Sequence, residues 1–164
     1  MLIDVSYFTA GPRHILNAAV GTQSTEVNDA ISNWIATLQP TFLHDMCGEE
    51  IGDELGEYLA QQEEGSFIPD ERLDAVAERL KQSFADYVFF HIIRESSTQA
   101  TITGAVRLKC ANSYCSPLNR QVDAWNTMVD RNVKFAKWSQ SDECEAKGIA
   151  THPHLLRKIN RFNL

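Results

Sequence analysis

Residues 71–95 read ERLDAVAERLKQSFADYVFFHIIRE, and this stretch decides the fold because its helical period never breaks. Leu73, Val76, Ala77, Leu80, Phe84, Tyr87, Val88, His91 and Ile92 recur at spacings of three and four, which gathers them into one apolar stripe. The stripe widens along the helix. Glu71, Arg72, Asp74, Glu78, Arg79 and Lys81 keep a wetted face near the start, whereas Val88, Phe89, Phe90, Ile92 and Ile93 leave almost none before Arg94. A helix polar on one side early and apolar nearly all round late is central in a core or buried against another chain. Asp70, after Pro69, is placed to cap it, and Ser96, Ser97 and Thr98 favour its exit.

Upstream, Ile51, Leu55, Tyr58 and Leu59 alternate with Glu49, Glu50, Asp53, Glu54 and Glu57 and predict a helix over 49–62, although Gly52 and Gly56 weaken it by about 1 kcal/mol each. Val27, Ile31, Trp34, Ile35 and Leu38 predict another from residue 25, and Phe42, Leu43 and Met46 carry the spacing on to Cys47. Pro40 makes a kinked helix and a break equally compatible with the pattern. Downstream, Leu118, Val122, Trp125, Met128, Val129, Val133 and Phe135 predict a helix over 117–139, with Pro117 at its start. Between them, QATITGAVRLK at 99–109 reads as an extended arm or short hairpin. Leu2 to Phe8 reads as a short strand or apolar anchor, and 140–164 as a tail, basic at its end, that orders on assembly and has a short helical possibility at His154–Arg161. The chain thus divides into an N-terminal arm (1–24), a helical domain (25–139) carrying the 99–109 arm, and a C-terminal tail (140–164). The expected class is mainly α, a four-helix bundle with a short extended arm or β-hairpin.

At 164 residues the chain fits one core, and it has no apolar run long enough to suggest a membrane span. Its opening, MLIDVSYFTAGPRH, has an acid before any base and lacks the pattern of a signal peptide. Four scattered cysteines do not make a disulfide framework and point to reducing surroundings. The net charge of −7 hides a division: residues 1–90 hold 16 acids and 4 bases, a balance of −12, whereas 91–164 hold 6 acids and 11 bases, a balance of +5. Such asymmetry favours head-to-tail contacts between copies if it separates in space.

Chemistry is sparse. His44 near Cys47, Cys110 near Cys115, and His152 with His154 are the nearest approaches to a metal set, and none has zinc-specific spacing. His44 and Cys47 read as a surface histidine beside a half-buried cysteine, and His91 among aromatics as a core or interface histidine rather than a general base. Glu50, Asp53, Glu54 and Glu57 share a helical ridge, but acid–base work needs two carboxyls held apart in a cleft, and the sequence suggests no cleft. Arg157, Lys158 and Arg161 are too small a basic patch for specific nucleic-acid reading. No catalytic residue, cofactor or metal site is expected.

Two passages carry a family resemblance: the opening LIDVSYFTAGPRHILNA and FFHIIRESSTQATITGAVRLKCANSYCSPLNRQVDAWNTMVDRN. Their features are aromatics and an arginine at a helix end (Tyr87–Arg94), a threonine-rich turn (Thr98–Gly104), a small-residue stretch ending in serine and proline (Ala111–Pro117), and a helix with Ala124, Trp125 and Asn126. Over residues 2–139 the chain resembles the head-to-tail connector, or neck, proteins of tailed bacteriophages, particularly crAss-like and other Bacteroidetes phages and prophages. The resemblance implies a connector-type bundle in a ring of about twelve copies, bound to the portal and to other neck or tail proteins, with genomic DNA passing through. It places the protein in the virion neck, made in the cytoplasm of a bacterial host, with no catalytic role.

On that reading the expected interface residues are Leu2, Val5, Phe8, Phe89, Phe90, Ile93, Ile102, Val106, Trp125 and Trp138. Glu49, Glu50, Asp53, Glu54 and Glu57 are expected at the lumen, where repulsion keeps a polyanion mobile. Arg157, Lys158 and Arg161 are expected to meet an acidic neighbour. The alternatives are a small helical, hydrolase-like enzyme and a helical module associated with nucleic acid.

Overall fold

All four predicted helices form, within two residues of their expected ends. The computed structural model describes residues 1–19, 25–65, 68–96, 98–101, 104–107 and 117–163. α1 spans Thr25–Cys47, α2 Glu49–Glu64, α3 Glu71–Ser96 and α4 Leu118–Ser139; a short α5, Asp142–Ala146, follows. Between α3 and α4 the backbone pairs Thr98–Thr101 (β1) with Gly104–Arg107 (β2) in an antiparallel ladder, with Gln99 opposite Val106. The chain is mainly helical.

α1 runs through Pro40 without interruption, and the proline is exposed. Its apolar positions, Ile31, Ile35, Phe42, Leu43 and Met46, hold one buried line to Cys47, so packing on both sides of the proline keeps the axis whole. α2 begins directly after Gly48, whose φ of 82° turns the chain back. Gly52 brings the two helices together, since a Cβ there would lie 2.7 Å from His44 Cδ2 and 3.2 Å from the His44 backbone nitrogen. Gly56 has no such neighbour, so only one of the two glycines serves close approach. α2 ends at Gly65 in the left-handed region, where its N–H donates to the Gln61 and Gln62 carbonyls. Asp70 caps α3 as expected, accepting from the Arg72 N–H at 2.8 Å and the Leu73 N–H at 3.3 Å.

α2 packs mainly on α1, α4 mainly on α3, and the pairs meet along α1 and α3. Phe42 of α1 meets Phe84 and Tyr87 of α3 with ring centroids 5.0 and 5.3 Å apart. Leu55, Val76, Leu80, Phe84, Val88 and Met128 are fully buried around this contact, each large side chain contributing about 2 kcal/mol of burial.

The two ends of the chain differ from expectation. Val5–Phe8 forms a 3₁₀ turn rather than a strand, because the Asp4 carboxylate accepts from the Ser6 N–H at 2.8 Å and curls the backbone. Leu2, Ile3 and Phe8 nevertheless anchor in the chain's own core. The C-terminal tail does not wait for assembly to find its place: Cys144 and Ile149 are buried, and residues 150–160 run without helix along α4. The helix considered at His154–Arg161 is absent, and only Arg161–Asn163 makes a 3₁₀ turn. Neither α5 nor this packing was expected from the sequence.

Candidate functional site

Asp86 lies where α3 turns apolar on every side, and an ionisable group buried there requires partners. Two segments supply them. Gly11, with φ 73°, and Pro12 form a 3₁₀ turn that sends Arg13 across to α3. Its Nη1 donates to Asp86 Oδ1 at 2.8 Å, and its Nη2 to Gln82 Oε1 at 2.6 Å. From α4, Arg131 Nε donates to Asp86 Oδ2 at 2.8 Å. The Asp86 side chain is 7% exposed, so its desolvation costs several kcal/mol, which two charge-assisted bonds offset. With both oxygens engaged, this carboxylate is committed to holding the N-terminal segment, α3 and α4 together.

These residues open onto a cleft of about 370 Å³, where the sequence suggested none. Phe89 and Ala124 supply apolar lining, and Arg120, Asp123 and Thr127 line the α4 side. The Arg120 guanidinium lies 5.1 Å from the Phe89 ring centroid and donates to the Pro12 carbonyl at 3.2 Å. A shallower hollow lined by Arg79, Gln82, Lys134, Phe135 and Trp138 shares Arg131 with this cleft, so Arg120, Arg131 and Lys134 lie along one edge of α4, with Asp123 and Thr127 among them.

The tail is held by side chains of α4 that act like a strand edge. Asn126 donates to the Ile159 carbonyl at 3.0 Å and accepts from the Ile159 N–H at 2.9 Å. Asn132 donates to the Leu155 carbonyl at 2.8 Å and accepts from buried Ser83, and Trp125 Nε1 donates to the Arg157 carbonyl at 2.9 Å. The His154 N–H donates to the Asp45 carbonyl at 2.8 Å, tying the tail to α1 as well. These bonds occupy the backbone groups that a helix over 154–161 requires, which is why that helix does not form.

Several expected interface residues are spent inside the chain. Leu2, Phe8, Phe89 and Phe90 are buried in the core, the last with its ring 4.9 Å from that of Trp125. Val5, Ile93, Trp125 and Trp138 are half-buried against the same core, and Arg79 stacks 3.9 Å over the Trp138 ring. The apolar girdle at the end of α3 is therefore covered largely by α4 and the chain's own termini. Ile102 lies outside the described residues, and Val106 is placed only as a ladder position.

The acidic ridge does form on α2. Glu49, Glu50, Asp53 and Glu57 are exposed, and Glu54 is half-buried and paired with Arg72. Of the basic tail residues, Lys158 pairs with Asp130 at 2.7 Å, while Arg157 and Arg161 are exposed.

His91 sits edge-on between Tyr87 and Phe90, with centroids 4.6 and 5.3 Å away, and burial, then Arg94, hold its pKa below the ordinary histidine value. His44 Nε2 lies 2.7 Å from Asp53 Oδ1 and does not share a site with Cys47. Cys47 is buried rather than half-buried, which pushes its thiol up to about 12. Cys144 is likewise free and buried; Cys110 and Cys115 lie outside the described residues. His152 and His154 are exposed. Among the described residues no three His, Cys, Asp or Glu side chains gather to hold a metal, and no helix is long and apolar enough to cross a membrane.

Sequence reasoning assigned no role to Arg13, Asp86, Arg131 or Asn132, and Asn126 entered only through the resemblance. Asp86 did leave a trace, as a lone acid in ADYVFFHII, but its partners lie 73 and 45 residues away. No protein-family model, curated protein or solved structure matches this chain.

Proposed function

We propose that the protein is a structural adaptor of a phage neck, one copy of a ring that joins the capsid portal to the tail and lets genomic DNA pass. The observation that carries this reading is a convergence. The opening GPR turn, the end of α3 and the helix bearing Ala124-Trp125-Asn126 belong to the stretches that resemble neck connectors, and they meet where Arg120 donates to the Pro12 carbonyl and lies over the Phe89 ring. A second support is charge: α2 carries seven acids and no base, whereas α4 carries four bases and two acids. Charge divided between helices in this way favours heterologous contacts between copies. On this reading the chain belongs in the virion neck, assembled in a bacterial host, and works without a catalytic centre or cofactor.

The test is reconstitution with the portal protein of the same genome, followed by mass photometry and negative-stain imaging. The expected product is a ring of about twelve copies seated on the portal. A chain that stays single in the presence of portal overturns the adaptor. So does a hydrolase or nuclease activity that disappears when Glu50, Asp53 or His91 is replaced.

A further inference from the structure

The charge on α2 and α4 is arranged in a matching register. Along α2, Glu50, Asp53, Glu57 and Glu64 follow at offsets of 3, 7 and 14 residues, and all four are exposed. Along α4, read backwards, Lys134, Arg131, Thr127 and Arg120 follow at the same offsets. Offsets of 3, 7 and 14 stay within one narrow stripe of a helix and span about 21 Å. Arg120, Thr127 and Arg131 face the Asp86 cleft, and Arg131 and Lys134 the adjoining hollow, so the basic stripe is a real face of the molecule. Within one chain these helices pack on different inner partners, α2 on α1 and α4 on α3.

We infer that the α4 face is the docking surface for a second copy of this chain, whose α2 ridge lies across it antiparallel. In that register Glu50 meets Lys134, Asp53 meets Arg131, Glu57 meets Thr127 and Glu64 meets Arg120. Asp123 falls opposite neutral Gln61, which spares a like-charge contact. Glu54 and Asp130 meet only at the stripe's edge, and each is already paired, with Arg72 and Lys158. The parallel alternative sets Asp53 against Asp123, a repulsive contact, so the charges select the antiparallel direction. Arg131 is held by Asp86 through Nε, and with its side chain 40% exposed it is aimed before any neighbour arrives.

The contact is heterologous, because each copy offers α4 to one neighbour and α2 to the other, and its repetition closes a ring when the rotation per copy divides a full turn. It rests on the adaptor reading and sharpens it, putting the Glu50–Glu64 stripe in a protein contact rather than at the lumen.

Two charge reversals test the register; because Arg120 also donates to the Pro12 carbonyl beside Arg13, Lys134→Glu alone separates the register from the Asp86 clamp. Arg120→Glu with Lys134→Glu is expected to weaken self-association about 100-fold. Adding Glu50→Lys and Glu64→Arg to the same chain is expected to restore it. Sedimentation velocity over a wide concentration range, in low and high salt, reads self-association alone, and imaging on portal reads the ring. Circular dichroism melts confirm that each variant is folded. Rings that persist in the doubly reversed chain, or that fail to return in the four-fold swap, overturn the register and leave the adaptor standing. Reversal-sensitive self-association without portal engagement overturns the adaptor and leaves the register. A wild-type chain that is monomeric in both settings overturns both.

Discussion

The seam between α1 and α2 and the seam between α3 and α4 are built on different principles. The first is closed by shape: Leu43, Met46, Ile51 and Leu55 are buried along it, Gly52 lets the backbones approach, and its polar pair, His44 with Asp53, stays at the surface. The second is closed by polar matching. Among the described residues the buried polar side chains, Ser83, Asp86, Gln121, Asn132 and Ser139, all belong to α3 or α4. A seam of shape tolerates graded change, whereas a seam of buried charge has one satisfied arrangement and a steep cost for losing a partner. The polar seam is also the one that recruits both termini, through Arg13 on one side and the Asn126 and Asn132 amides on the other.

The sharpest way to break the contrast is Asp86→Ala, which takes from Arg13 and Arg131 the carboxylate that they share. We expect a loss of about 3–5 kcal/mol in urea unfolding and release of the N-terminal segment to limited proteolysis. A loss below about 1 kcal/mol would show that the clamp is no stronger than a surface pair.

On the other seam, Gly52→Ala is expected to cost about 1–3 kcal/mol, because its Cβ meets His44 Cδ2 at 2.7 Å and backbone at 3.2 Å. His44→Ala in the same chain should recover only part of that loss, since the backbone contact remains.

Asn126→Ala removes both bonds to Ile159. It should cost about 1–2 kcal/mol and accelerate amide exchange at the 155–160 tail while leaving α2 protected. Uniform acceleration would show that the tail and the helices open together.

Gly56→Ala makes the opposite prediction to its neighbour four residues before. With nothing within 4 Å of the new Cβ, it should stabilise the isolated chain by about 0.5–1 kcal/mol through helix propensity. The pair of glycines thus reads out where shape controls the first seam and where it does not.

The smallest expected effect is a pH dependence at His91. Burial lowers its folded pKa, so the unfolded chain binds the proton first as pH falls through the ordinary histidine value of about 6.5. Stability contributed by neutral His91 is full above that value and declines below it. His91→Gln should flatten this part of the stability profile, and an unchanged slope would assign it to other groups.

The helices were legible because their information is local. Spacings of three and four in α1 to α4 and Asp70 at a cap each act within one or two turns of backbone. The charge division was legible as a count, and its placement on α2 and α4 was not, because which helices lie outermost depends on packing.

By itself the sequence determined the class of fold, the number and extent of the main helices, and the apolar stripe of each. Only the tertiary structure decided that Phe89 and Phe90 are consumed within the chain, that the tail lies extended on α4, and that Arg13 and Arg131 share Asp86. The physical reason is range: helical periodicity is written between neighbours, while the partner of a buried charge or an unpaired amide is whichever side chain the fold carries to it.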